Sequence, residues 1–280
     1  MECRRGETYV KGFVGLVLRS SVANRKGFTL IELLVVIAII AVLMSILMPA
    51  LNRAKQSAKN VICMSNLHEW GVIWMIYTND NKGFFSRGVG VGWERGEWIT
   101  ALRPEWETRS EILRCPMAMK RLQSGEEHGG AYNTYIMGDS TGGDEEYEEC
   151  SYGINCWVYN PPAGISDIQG RPTAYNWRTP NMKGTANVPL FADTMWRGGG
   201  PWHHEQPPEY NGYWEDYDYE IGHFCIDRHG GGTINTLFLD WSVRRVGLKE
   251  LWELPWHRNW NPDDAPPPVW PDWMAGMKDY

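Results

Sequence analysis

The stretch FTLIELLVVIAIIAVLMSILM, residues 28–48, decides the fold. It holds 21 residues and one charged side chain, Glu32. A helix over it reaches about 30 Å, the thickness of a bilayer's hydrocarbon core. Basic residues precede the run, so a secretory signal peptide is its first rival. Three features count against that rival. The run is longer than a signal core, it leads through Pro49-Ala50-Leu51 into more helical pattern rather than a small-x-small cleavage site, and a carboxylate sits near its start. On composition alone, a plain single-pass anchor stays open.

Working outward, charge is unevenly distributed. Residues 1–27 carry six Lys/Arg and two Glu, net +4, and the remainder carries 21 basic against 32 acidic side chains, net −11. A basic end before an apolar helix is held in the cytoplasm on insertion. The acidic remainder excludes a nucleic-acid partner, because phosphate binding needs a basic face.

Lys26-Gly27-Phe28-Thr29-Leu30-Ile31-Glu32 resembles the processing site of prepilins and type II secretion pseudopilins. The resemblance implies a prepilin peptidase that cuts between Gly27 and Phe28 and methylates the new N-terminus. Glu32 becomes the fifth mature residue and Pro49 the twenty-second, both positions where the family commonly carries these residues. An unpaired carboxylate in a bilayer is costly. The family implies as its partner the N-terminal amine of a neighbouring subunit, whereas the residue alone also allows snorkelling to the interface. Pro49 reads as a helix kink. The 27-residue leader is long and has its own apolar patch at 13–18, which points to a start downstream of Met1.

Beyond Pro49 the pattern turns amphipathic. Leu51, Ala54, Ala58 and Ile62, then Leu67, Trp70, Trp74 and Tyr77, recur at helical spacing until Asn79-Asp80-Asn81-Lys82-Gly83 breaks it. The expected fold is α+β and pilin-like: a leader over 1–27, a helix over 28–82 with 28–48 crossing the membrane, a β-rich domain over 83–254, and a Pro/Trp-rich tail over 255–280. Strands of an antiparallel sheet are expected at 131–137, 151–159, 188–192, 222–226, 233–239 and 242–246, the last two as a hairpin. The tail, with six prolines in 26 residues, reads as extended.

A second resemblance lies in Arg228-His229-Gly230-Gly231-Gly232 followed by Leu237-Phe238-Leu239-Asp240. It is similar to the C-terminal signature of large planctomycete-type prepilin-like proteins, a His, nine residues, then Asp-Gly. Here ten residues intervene and Trp241 stands where the Gly would be. By analogy with that group, Cys63 and Cys115 pair as a disulfide joining helix to sheet.

Removing Cys3 with the leader leaves five cysteines outside the cytoplasm, read as two disulfides and one buried thiol. No CxxC pair or His-Cys cluster suggests zinc. His203, His204, Glu205, His223, Asp227, His229 and Asp240 form the most site-like collection for a catalytic metal, without a diagnostic spacing. Asp216, Asp218 and Glu220 alternate carboxylates, and pseudopilins bind calcium in a soluble-domain loop, so Ca2+ is a candidate ligand. Neither this segment nor the acidic loop from Asp139 to Glu149 matches a calcium-loop motif, and a solvated loop is the simpler reading.

The expectation is a structural protein and not an enzyme, with no certain cofactor. It is single-pass in the inner membrane, N-terminus cytoplasmic and globular part periplasmic, and is assembled with copies of itself by an inner-membrane platform into a type II secretion pseudopilus or type IV pilus-like filament. Sixteen tryptophans support a second reading, a membrane-anchored or filament-tip module that stacks indoles on glycans. A third, a hydrolase, needs His229 and Asp240 to converge with another ligand.

Overall fold

The computed structural model describes residues 29–89, 94–120, 128–137, 149–212, 214 and 219–280. The chain divides into two units, residues 1–50 and 51–280. Helix α1 (Leu30–Asp80) runs through both and contains Pro49. Proline lacks the N–H that would reach the Ser45 carbonyl. In the first unit every described side chain from Leu30 to Ala50 is exposed. Fifteen large apolar side chains between Leu30 and Met48 are therefore open to solvent.

In the second unit the stripe on α1 is shorter than its pattern suggests. Leu51, Ala54, Ala58 and Ile62 are exposed, and burial begins at Cys63. From there Cys63, Asn66, Leu67, Trp70, Gly71, Trp74 and Thr78 form one face at three- and four-residue spacing. Asn81 and Lys82 end the helix: Lys82 and Gly83 take positive φ, and the Gly83 N–H donates to the Thr78 carbonyl at 2.7 Å. Short helices α2 (Glu94–Ala101) and α3 (Arg103–Trp106) follow.

Among the described residues nine strands follow: β1 (Tyr135–Ile136), β2 (Glu149–Cys150), β3 (Tyr152–Asn155), β4 (Asp167–Ile168), β5 (Arg171–Pro172), β6 (Pro189–Asp193), β7 (Gly198–Gly199), β8 (Thr233–Phe238) and β9 (Val243–Gly247). The main sheet has the order β7-β3-β6-β8-β9 and is antiparallel except for the parallel β3–β7 pair. It is thus mixed rather than purely antiparallel. The fold is α+β, a long apolar N-terminal helix followed by sheets.

Strands at 188–192, 233–239 and 242–246 appear within a residue of their expected bounds. The expected strand at 222–226 is instead a buried 3₁₀ turn, Glu220–His223, whose last carbonyl accepts from Met195 N and Thr194 Oγ1. A five-residue apolar run fits a buried turn as well as a strand. Tail residues Trp256 and Met274 are fully buried, and Lys249 Nζ meets Asp279 at 2.6 Å.

Register decides which side chains meet the helix. Tyr152 pairs with Asp193, Ile154 with Phe191, and Phe191 with Leu237. Directly paired residues share a face and alternate residues return to it. Tyr152, Phe191, Asp193, Asn235 and Leu237 therefore all face α1. Trp70 meets Phe191 at 5.0 Å between ring centroids, and the side chain of Leu237 lies over Gly71.

Candidate functional site

Among the described residues two places carry chemistry. The first is the start of α1. Thr29 is its cap: Glu32 Oε2 accepts from Thr29 N and Thr29 Oγ1, each at 2.8 Å, and Glu32 N donates back to Thr29 Oγ1 at 3.2 Å. This reciprocal Thr-x-x-Glu capping box satisfies amides that a helix start leaves open. The carboxylate thus has a partner within its own chain. Gly27 and Phe28 lie outside the described residues.

The second is a buried polar cluster in the 51–280 unit, where α1 meets the sheet. Asp193 ends β6 and Arg228 precedes the glycine turn into β8, and neither side chain is exposed. The guanidinium uses all five N–H groups: Nε to Ala131 O (2.9 Å), Nη1 to Ser151 O (2.5 Å) and Asp193 Oδ1 (3.2 Å), and Nη2 to Gly130 O and Thr194 O (2.9 Å each). A buried cation tolerates desolvation only with such complete pairing. Asp193 Oδ2 lies 2.9 Å from His229 Nε2 and 2.9 Å from its donor Asn235 N.

Two thiols close the cluster. Cys63 Sγ, on α1, lies 3.5 and 3.6 Å from the Asp193 oxygens, and Cys115 Sγ lies 3.6 Å from His229 Nε2. Burial works to raise the Asp193 carboxyl, but the charge and hydrogen bond of His229, with Arg228, hold it at about 2. Burial works to lower His229, and the Asp193 charge lifts it to about 9. Burial lifts Cys63 well above the ordinary thiol value. For Cys115 the same burial is outweighed by hydrogen bonds from Cys63 and His229, which make it the more acidic thiol. Protons are thus unevenly shared in a sealed pocket.

With these geometries in place, the chain can be set beside known proteins. Residues 22–48 match the family model described as the prokaryotic N-terminal methylation motif. Its N-terminal segment is type IV pilin-like. Over 68 residues the chain is 43% identical to the type IV wide pilus major component PilA4 of Thermus thermophilus, an alignment covering 24% of this chain and 52% of that protein. The pilin-like chain thus spans about half the length of the curated relative it matches. No solved structure matches it.

The structure separates most of the other candidate residues of this pilin-like protein. Glu220 is buried and bound to Arg171 Nη1 at 2.8 Å. Asp240 is exposed and caps its turn, accepting from Ser242 N (3.0 Å) and Oγ (2.6 Å). Asp240 lies five residues past Asn235, which touches His229. Strand β8 carries the chain from there to the turn beyond Phe238, and the group around His229 is Cys63, Cys115 and Asp193, without Asp240. The convergence a hydrolase would require is therefore absent. Asp227 holds the glycine turn, its Oδ1 accepting from Gly232 N and Thr233 N at 3.0 and 3.3 Å. Gly230, Gly231 and Gly232 all take positive φ, where a side chain would be strained. Asp216 and Asp218 lie outside the described residues.

His229 was legible as a candidate, while its companions Cys63, Cys115 and Asp193 come from three other segments. Among the described residues all five cysteines are buried thiols, in place of the expected two disulfides. Cys150 Sγ faces the Leu113 carbonyl, and the sulfur that Cys225 Sγ faces is the Met274 thioether, which cannot form a disulfide. Among described tryptophan side chains nine are buried and six half-buried, so the indoles serve as core.

Proposed function

We propose that this chain is made as a prepilin, cut between Gly27 and Phe28 by a prepilin peptidase, methylated there, and polymerised through α1 with other pilin or pseudopilin subunits. Before assembly its apolar run crosses the inner membrane, with the leader in the cytoplasm and the remainder outside. An assembly platform then draws it into a type II secretion pseudopilus or type IV pilus-like filament. The pilus reading follows the relative's description as a wide pilus major component.

The supporting observation is the exposed apolar first half of α1. Fifteen large apolar side chains in water, at about 1.5 kcal/mol each, forgo on the order of 20 kcal/mol of burial. Lipid recovers that before assembly, and neighbouring subunits' helices recover it afterwards. Intact mass and N-terminal analysis of membrane-extracted protein, made with and without a prepilin peptidase, test the reading. N-methylated Phe28 appearing only with the peptidase supports it. An intact leader in both preparations refutes it.

A further inference from the structure

We propose that Cys63, Cys115, Asp193 and His229 form a tetrahedral zinc site that fastens α1 to the sheet. One ligand atom from each lies within 4.8 Å of all the others. They come from four separate places: α1, the loop after the 3₁₀ turn Ser110–Leu113, the end of β6 and the turn before β8. Two thiolates, an imidazole and a carboxylate suit zinc, whereas calcium and magnesium take oxygen shells.

The spacings agree with this assignment. Zinc bonds of about 2.3 Å to sulfur and about 2.0 Å to nitrogen and oxygen, at tetrahedral angles, set ligand edges near 3.5 Å for S···O and S···N and near 3.3 Å for N···O. With Asp193 Oδ2 as the carboxylate ligand, three observed edges are 3.6 Å from Cys63 Sγ to Oδ2, 3.6 Å from Cys115 Sγ to His229 Nε2, and 2.9 Å from His229 Nε2 to Oδ2. Of these three edges only the last must open, by about 0.4 Å, as an ion replaces a direct hydrogen bond.

The arrangement around Nε2 separates a metal centre from a nucleophile. A Cys-His-Asp triad uses both ring nitrogens, one toward sulfur and one toward the carboxylate. Here Cys115 Sγ, Asp193 Oδ2 and Asn235 Nδ2 all converge on Nε2, at 3.6, 2.9 and 3.1 Å. One nitrogen has one proton or one lone pair to offer, so three neighbours oversubscribe it. A cation at the point of convergence takes the lone pair and two of those neighbours become its ligands. Asn235 Nδ2 keeps its other bond, to Asn60 Oδ1 at 2.8 Å.

An outer shell is already built. Arg228 fixes Asp193 Oδ1 and Asn235 N fixes Oδ2, Tyr152 OH donates to Cys63 Sγ at 3.3 Å, and Met117 N donates to Cys115 Sγ at 3.4 Å. Such contacts orient ligands and favour thiolates. Charge also closes: two thiolates and Asp193 carry −3, against +2 from zinc and +1 from Arg228. Binding expels the Cys63 thiol proton and the proton held between Cys115 and His229 Nε2.

The test uses the full chain in detergent, prepared under reducing conditions, stripped with a chelator, then titrated with Zn(II) and separately with Co(II). The expected result is one metal per chain, with Co(II) giving thiolate charge transfer and the intense visible bands of a tetrahedral site. Cys63→Ser and Asp193→Asn weaken zinc affinity by about 100-fold or more, while Cys150→Ser, at a thiol outside the cluster, leaves it unchanged. Failure of the folded wild-type chain to bind either ion overturns the proposal whatever the variants do. So does natively prepared protein that is 2 Da lighter with Cys63 and Cys115 peptides linked, since a disulfide consumes two of the four ligands.

Discussion

Arg228→Lys is the sharpest probe of the buried cluster, because it keeps the charge and changes the geometry. The guanidinium makes five hydrogen bonds at 2.5 to 3.2 Å, four to main-chain carbonyls and one to Asp193. An ammonium group offers three N–H donors. At least two of the five acceptors therefore lose their donor, around a side chain that has no exposed surface. Each orphaned buried acceptor costs about 1–3 kcal/mol, giving ~2–6 kcal/mol in all. Ser151 O also accepts from Thr194 N at 3.0 Å. Its loss is thus the mildest and favours a value near 3 kcal/mol, or a Tm drop on the order of 10 °C. Chemical denaturation of the detergent-solubilised chain, followed by tryptophan fluorescence, measures it. Arg244→Lys is the control, since Arg244 bonds Glu250 at 2.7 Å with its side chain 37% exposed, and it should cost under about 1 kcal/mol. If Arg228→Lys costs no more than that control, the five-bond account is wrong.

Three further outcomes are expected. Glu32→Ala leaves peptidase cleavage near wild type and sharply lowers filament yield, whereas Thr29→Val breaks the same capping box and preserves yield. Equal losses in immunoblots of sheared filaments would mean that the carboxylate serves only its own helix. His257 is boxed in by Trp157, Tyr175, Trp202 and Trp260, and burial, with His203 and His204, holds it down at about 3. Its folded value lies below the unfolded one, so stability is complete above about pH 6.5 and falls by up to about 1.4 kcal/mol per unit as pH drops from there toward 3; His257→Phe should flatten that slope in pH-dependent denaturation. Gly71→Leu, where even a Cβ would sit 3.0 Å from Leu237 Cδ1, should cost about 1–3 kcal/mol by overpacking, measured by thermal melting against Val72→Leu on the exposed side.

The sequence exposed what depends on local order and hid what depends on assembly. The apolar run, its preceding Gly27-Phe28 and the Asn79–Gly83 break are contiguous signals, and the corresponding helix spans Leu30–Asp80. Strands β6, β8 and β9 were legible because Gly, Pro or Asp punctuates each apolar run. The Thr29-x-x-Glu32 cap was equally visible as a spacing, but it overlaps a processing motif that claimed the same residues. The cluster ligands are 52, 78 and 36 positions apart in turn, so no short spacing marks them. The resembling signature sets His229 beside Asp240, although strand β8 runs between them. The one hint of Asp193 was a carboxylate closing a wholly buried strand, which demands a cation or donor nearby. Trp241 has a similar history: it stands where the resembling signature has Gly, and its φ of +69° is the region glycine favours.

The alternation of β6 and β8 makes the cluster a proofreader of strand alignment. Asp193 and Asn235 reach Cys63, Arg228 and His229 only because both point toward α1. Sliding β6 by one residue turns Asp193 to the opposite face and leaves an ionised carboxylate among apolar side chains, with Arg228 stranded behind it. A mostly apolar strand such as Pro189–Asp193 would otherwise tolerate the slip, since both of its faces are buried. Four dispersed polar residues thereby convert a permissive hydrophobic pairing into one with a single admissible alignment, selected as the chain folds.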